Sequence, residues 1–208
     1  MMNADNIVWY GHDSFRIYDD GKNIYIDPWK IPSNAPRADY IFITHDHYDH
    51  YSPEDIRRLS YQPTQIICPV DVSKKEGRNT IPLNPGVKLV RDKLRIEAVP
   101  AYNIDKKFHP KKNNWLGYVI TLSDGTRVYH AGDTDFIPEM NDIKTDIALL
   151  PVSGTYVMTA EEAIEAANII KPVIAIPMHF GDIIGDLGDA MKFKAGYSGT
   201  TVIKSITK

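Results

Sequence analysis

At 208 residues, 43% hydrophobic and 25% charged, with a formal net charge of −3, the chain has the length for one buried core and the balance of a soluble globular protein, with no overall electrostatic reason to bind nucleic acid. No stretch approaches the ~18 apolar residues of a membrane span, and positions 1–6 carry neither the basic nor the apolar region of a secretory leader. Cys68 is the only cysteine; it follows Ile66 and Ile67 in an apolar run and cannot form an intrachain disulfide, which suits a reducing cytoplasm and a buried structural role.

Strands are predicted at 7–10, 14–18 and 23–26, the last two joined by a hairpin at Asp20-Gly21. The apolar run 40–44 reads as a buried strand. It leads into His45-Asp46-His47-Tyr48-Asp49-His50, and then Ser52 and Pro53 look like the N-cap and first position of a helix reaching Leu59. Further strands fall at 65–68 and 94–99, with a second hairpin, 117–122 and 127–129, around Asp124-Gly125. Continuous apolar strands at 146–150 and 173–176 have the character of strands buried on both faces. Between them a helix is predicted over 159–170, with Thr159 and Glu162 as a capping box, Pro172 as the stop, and an apolar stripe of Ala163, Ile164, Ala167 and Ile170. Strands interleaved with single helices make an α/β protein whose sheets are covered by helices. No linker, repeat or charge block divides residues 1–208, so one domain is expected.

The segment 45–50 packs three imidazoles and two carboxylates into six residues behind a strand. In extended chain His45 and His47 face the same way, and a turn can return Asp49 and His50 to the same point. Neutral imidazole and carboxylate are good ligands for divalent ions. Other candidates stand at strand ends: Asp133 after Gly132, which permits a sharp turn, and His179 after the 173–178 segment. His12 and His130 read as surface or supporting histidines, either of which could also donate to a ligand or touch substrate. Asp27 is placed to accept the free N–H of a ligating imidazole.

The HxHxDH pattern at 45–50 resembles the signature of the metallo-β-lactamase-fold hydrolase superfamily, and the likeness runs from Trp9-Tyr10-Gly11-His12 to Ile176-Pro177-Met178-His179. It is most similar to the branch containing L-ascorbate 6-phosphate lactonase and its uncharacterised relatives, also through 150–156. The resemblance implies a four-layer αββα sandwich. It further implies that His45, His47 and His109 hold one metal ion, that Asp49, His50 and His179 hold a second, and that Asp133 bridges the two, ~3.5–4 Å apart and sharing a hydroxide. The chain departs from the family where a histidine is usual and Asn103 stands instead; His109 is the nearby imidazole put forward for that place, with Asn103 lining the site. Asp49 is also assigned a proton-carrying role. Zinc is the default ion for an imidazole-rich set without thiolate, with manganese, iron or nickel admissible.

The expected reaction is hydrolysis of a small ester, foremost a lactone, with Lys106, Lys107, Lys111 and Lys112 available to steer an anionic or phosphorylated substrate. A phosphodiesterase or phospholipase D-like hydrolase is the alternative within the fold, and a non-catalytic metal-binding protein the alternative of another class. The expected partner is a small molecule, with no nucleic acid and no membrane span; self-association stays open.

Overall fold

The structure is a computed structural model that describes residues 4–77 and 79–208; the first three positions of the N-terminal stretch lie outside the described residues. Strands β1 (Ile7–Gly11), β2 (Ser14–Asp19) and β3 (Lys22–Ile26) form an antiparallel meander. Asp20 and Gly21 make its hairpin with φ of 46° and 80°, the doubly positive geometry that matches the twist of a two-residue turn. Strand β4 (Tyr40–Phe42), helix α1 (Pro53–Leu59), β5 (Gln65–Pro69), helix α2 (Val70–Glu76) and β6 (Thr80–Leu83) then extend the sheet with parallel strands.

The second half repeats this plan. Strands β7 (Lys88–Arg91), β8 (Leu94–Pro100), β9 (Leu116–Thr121) and β10 (Arg127–His130) are antiparallel. Strand β11 (Ile147–Pro151), helix α3 (Ala160–Ile170), β12 (Ile174–Met178), helix α4 (Leu187–Gly196) and β13 (Thr200–Thr201) follow as parallel strands with helical crossovers. The result is a six-stranded sheet, β1 to β6 in order, and a seven-stranded sheet running β13 to β7.

Side-chain alternation builds the layers. Ile24, Ile26, Phe42 and Ile67 face the second sheet, where they join Ile96, Tyr118, Ile120 and Val128 in one buried cluster. Their neighbours Tyr25, Ile41, Ile43, Ile66 and Cys68 face the other way, against Ile56 and Leu59 of α1 and Val72 of α2. Helices α3 and α4 cover the second sheet through Ala163, Ala166, Ala167 and Phe193. This is the αββα arrangement. Burial pushes the Cys68 thiol up to about 12, which keeps it protonated and inert.

The capping of α1 by Ser52 and the Thr159–Glu162 capping box of α3 are both present, and α3 ends in a left-handed Lys171 just before Pro172. Other elements differ from expectation. Strand β4 stops at Phe42 because the backbone N–H and hydroxyl of Thr44 turn to the carboxylate of Asp27. His45 and His47 therefore converge in irregular chain beyond the strand, just before a tight turn closed by His50 and Tyr51 N–H bonds to the His47 carbonyl. Helices α2 and α4 and strands β6, β7 and β13 were not legible: β7 alternates exposed and half-buried residues, β6 contains Pro82, and α4 carries Gly188 and Gly196 and buries only Ala190 and Phe193. Among the described residues no helix is long and apolar enough to cross a membrane.

Strand direction positions the site. Strands β1, β3 and β4 run alike in the first sheet, as do β8, β10, β11 and β12 in the second. Their C-terminal ends deliver His12, Asp27, His45, Asn103, Asp133, Ser153 and His179 to one rim. The backbones there are packed closely: a Cβ on Gly117 would lie 2.8 Å from the Ala131 carbonyl oxygen and 2.9 Å from that of His130. Gly117→Ala is therefore expected to cost about 1–3 kcal/mol through backbone displacement, measured as a lowered Tm; an unchanged Tm would show that this rim yields freely.

Candidate metal centre

Ring nitrogens and a carboxylate oxygen of His45, His47, His109 and Asp133, which could hold a metal ion, all lie within 4.8 Å of one another, as do ring nitrogens of His12, His50 and His179. His45 Nε2 and His47 Nδ1 are 3.0 Å apart, close to the ~3.3 Å between two ligands each ~2.0–2.1 Å from one zinc in tetrahedral geometry. Asp133 lies between the groups, its Oδ2 3.1 Å from His109 Nε2 and 3.4 Å from His179 Nε2, and its Oδ1 3.4 Å from His50 Nε2. Asp49 Oδ2 lies 3.8 Å from His50 Nε2. Apart from these close approaches, His50 Nε2, His109 Nε2 and Asp133 Oδ1 are buried with no hydrogen-bond partner. Each such orphan costs about 1–3 kcal/mol, so their convergence with other imidazoles fits residues shaped for cations.

The opposite ring nitrogens are held. Asp27 accepts His50 Nδ1–H at 2.8 Å and also the Thr44 hydroxyl at 2.6 Å and the Thr44 N–H at 2.8 Å. Because the Thr44 hydroxyl donates to Asp27, it accepts from His45 Nδ1–H at 2.9 Å, which leaves His45 Nε2 as the lone pair. Asn103 Oδ1 lies 2.9 Å from His109 Nδ1 and accepts the His109 backbone N–H. Its amide in turn donates to Asp135 and the Tyr156 carbonyl. Ser153 Oγ lies 2.8 Å from His179 Nδ1. Such partners fix tautomer and ring orientation. The Trp115 ring packs 4.9, 5.0 and 5.6 Å from the rings of His45, His47 and His109, anchored by its Nε1–H on Asp71.

His12 and His130 are not at the surface; both are fully buried. Burial holds His12 at about 4, so it is neutral near pH 7 and its Nε2–H can donate to Asp49 Oδ2 across 3.1 Å. Burial would raise Asp49, yet that hydrogen bond and the neighbouring His50 outweigh it and keep the carboxyl at about 2. His130 spends both nitrogens on backbone, donating to the Asp13 carbonyl and accepting from Gly132 N–H, and so braces the turn before Asp133. Asp13 went unrecognised in the sequence: both its carboxyl oxygens are buried without a hydrogen-bond partner, within the same 4.8 Å reach of Asp133 and His179. Burial pushes its carboxyl well up. Ser153, Thr44 and Trp115 also carried no chemical signal of their own. His12, Asp27 and His179 have φ of 48°, 46° and 59°, a left-handed region uncommon for such residues and frequent where structure over-determines a functional position.

A cavity of about 250 Å³ opens over this cluster, floored by His47, Asp49, His109, Asp133 and His179 and walled by Tyr48, Phe108, Tyr156 and Ile183. His12, Asp27, Asn103 and His130 do not line it. None of the four lysines of 106–112 lines it, and two are paired elsewhere: Lys106 Nζ bonds Asp135 at 2.6 Å, and Lys111 Nζ bonds Glu139 at 2.9 Å and the Tyr102 hydroxyl at 3.1 Å.

The hydrogen bonds behind the imidazoles can be tested one by one. Asp27→Ala, Asn103→Ala and Ser153→Ala are each expected to weaken metal retention by about 10–100-fold, read by chelator competition. Wild-type retention in Asp27→Ala, which removes the acceptor for both Thr44 and His50, would contradict this account.

The Beta-lactamase superfamily domain family matches residues 6–179. A UPF0173 metal-dependent hydrolase of Thermoplasma acidophilum is 35% identical over 214 aligned residues, which cover 95% of this chain and 93% of that protein. A protein of Parabacteroides distasonis assigned as a metal-dependent hydrolase superposes with a TM-score of 0.87 at 36% identity, over 97% of this chain and 93% of the other. A metallo hydrolase of the archaeon Ignicoccus hospitalis superposes with a TM-score of 0.79 at 26% identity, over 97% and 95% of the two chains. With the αββα fold and the histidine-rich rim, these matches place the chain in the metallo-β-lactamase superfamily, among its UPF0173 metal-dependent hydrolases.

Proposed function

We propose that this hydrolase works through a two-ion centre in which His45, His47 and His109 hold one divalent ion, Asp49, His50 and His179 hold the other, and Asp133 is shared. The observation that carries the reading is the single carboxylate of Asp133 facing both sets of imidazoles, Oδ2 toward His109 and Oδ1 toward His50. Zinc suits this thiolate-free set best, with manganese, iron and nickel as chemical alternatives. Bound there, such ions supply an attacking hydroxide near neutral pH and polarise the oxygen of the group under attack.

The chain's own residues present lone pairs and keep the centre rigid. Asp27, Asn103, Thr44 and Ser153 hold the imidazoles from behind. His12 holds Asp49 in its ionised form, which suits a ligand; the same carboxylate, lying in the cavity floor, passes a proton to the leaving oxygen only as a secondary task, since a group near 2 gives up its proton readily and takes one up reluctantly. The reaction is hydrolysis of a small ester, and the likeness of residues 150–156 to the lactonase branch favours a lactone.

Elemental analysis of protein purified without added metal is expected to give near two equivalents, falling toward one in His109→Ala. Chelation should abolish ester hydrolysis and a divalent ion should restore it. Failure to take up metal after reconstitution would sink the two-ion reading, and full metal with no turnover on any ester would leave a binding protein in place of an enzyme.

A further inference from the structure

The cavity wall differs in kind from its floor. Tyr48, Phe108 and Ile183 are large apolar side chains with 68%, 38% and 37% of their surface exposed, and all three border the same opening. Such residues are normally scattered singly; gathered at one cleft over a polar floor they mark a binding surface. Two edge-to-face aromatic pairs brace the region, Phe108 with Tyr156 at 4.7 Å and Trp29 with Tyr48 at 6.0 Å between ring centres.

The cavity wall offers an anion no cationic side chain. Among the described residues no lysine or arginine lines the cavity. Of the nearby cations, Lys30, Lys106 and Lys111 are committed to Asp182, Asp135 and Glu139, and Lys107 and Lys112, exposed on the same loop, do not line the cavity. A phosphate or carboxylate on the substrate would have to give up its hydration against an apolar wall without a cationic partner there. Size is consistent with this: a dry cavity of ~150 Å³ takes one benzene, so about 250 Å³ accommodates one ring with a short ester arm.

We infer that the substrate is an uncharged ester or lactone bearing one apolar, ring-sized group, seated against Phe108, Tyr156, Tyr48 and Ile183 with its ester oxygens toward Asp133. This rests on the hydrolytic reading above and narrows it from esters in general, phosphorylated ones included, to neutral apolar ones.

The test compares phenyl acetate, 4-acetoxyphenyl phosphate and methyl acetate on the zinc-loaded protein. The expected result is a kcat/KM at least ~10-fold higher for phenyl acetate than for 4-acetoxyphenyl phosphate, which has a comparable phenolate leaving group, with methyl acetate as the reference for the variants. In Phe108→Ala and Ile183→Ala the ratio of phenyl acetate to methyl acetate should fall by about 10-fold. Preference for the phosphorylated ester, or an unchanged ratio in both variants, would overturn the inference and leave the hydrolase reading standing. If no ester is turned over, saturation-transfer NMR with N-phenylacetamide and 4-acetamidophenyl phosphate decides the ligand class separately. A signal from the neutral amide that Phe108→Ala removes upholds the apolar site although hydrolysis has failed, and a signal from the phosphate alone, or from neither, overturns it.

Discussion

The carboxylate of Asp27 is the tie on which the rim depends. It sits just past β3 and accepts from the Thr44 backbone, the Thr44 hydroxyl and His50. One buried group thereby ends β4, sets the hydroxyl that receives His45, and aims His50. Charge-assisted bonds of this kind are stronger than neutral ones, and a carboxylate sealed from water depends on keeping all its donors. Asp27 adopts a left-handed backbone to reach them. The parallel β3–β4 pairing ends immediately before it, at Ile26 and Phe42.

The second half of the chain answers with weaker, neutral ties. Asn103 supports His109 and Ser153 supports His179, each through one oxygen. Both follow strand ends of the seven-stranded sheet, as Asp133 does. The two sheets thus contribute different chemistry to one cluster: a carboxylate-buttressed set from the first, and a set supported by an amide and a hydroxyl from the second. Packing between the sheets, through the cluster that joins Phe42 and Ile67 to Tyr118 and Val128, and hydrogen bonds across them, such as Tyr118 hydroxyl to the Ile43 carbonyl and Leu116 N–H to the Thr44 carbonyl, keep the halves in register.

Much of this was legible because the relevant signals are local. The density of His and Asp at 45–50, the Asp20-Gly21 turn and the Thr159–Glu162 capping box state their geometry within a few residues. Buried strands such as β11 and β12 announce themselves as continuous apolar runs. What sequence could not give were residues whose role comes from distant neighbours. Ser153 is an ordinary serine until β11 carries it under His179, and Asp13 looks like a turn residue until burial strips its carboxyl of partners. The pairing of Lys106 and Lys111 was hidden for the same reason: their counter-charges, Asp135 and Glu139, lie far along the chain. Edge elements such as β7 were missed because its four residues, alternately exposed and half-buried, lack the continuous apolar run that strands buried on both faces show.

The cavity wall is drawn from loops that differ in how closely they are bound to the floor. Tyr48 lies between His47 and Asp49, and Phe108 adjoins His109, so either wall residue shares backbone with a proposed ligand. Ile183 stands four residues beyond His179, and Tyr156 three beyond Ser153. Replacements at Ile183 and Tyr156 can therefore reshape the opening while the histidines stay where they are, and those two positions are where related chains can diverge in what they accept while keeping the same chemistry underneath.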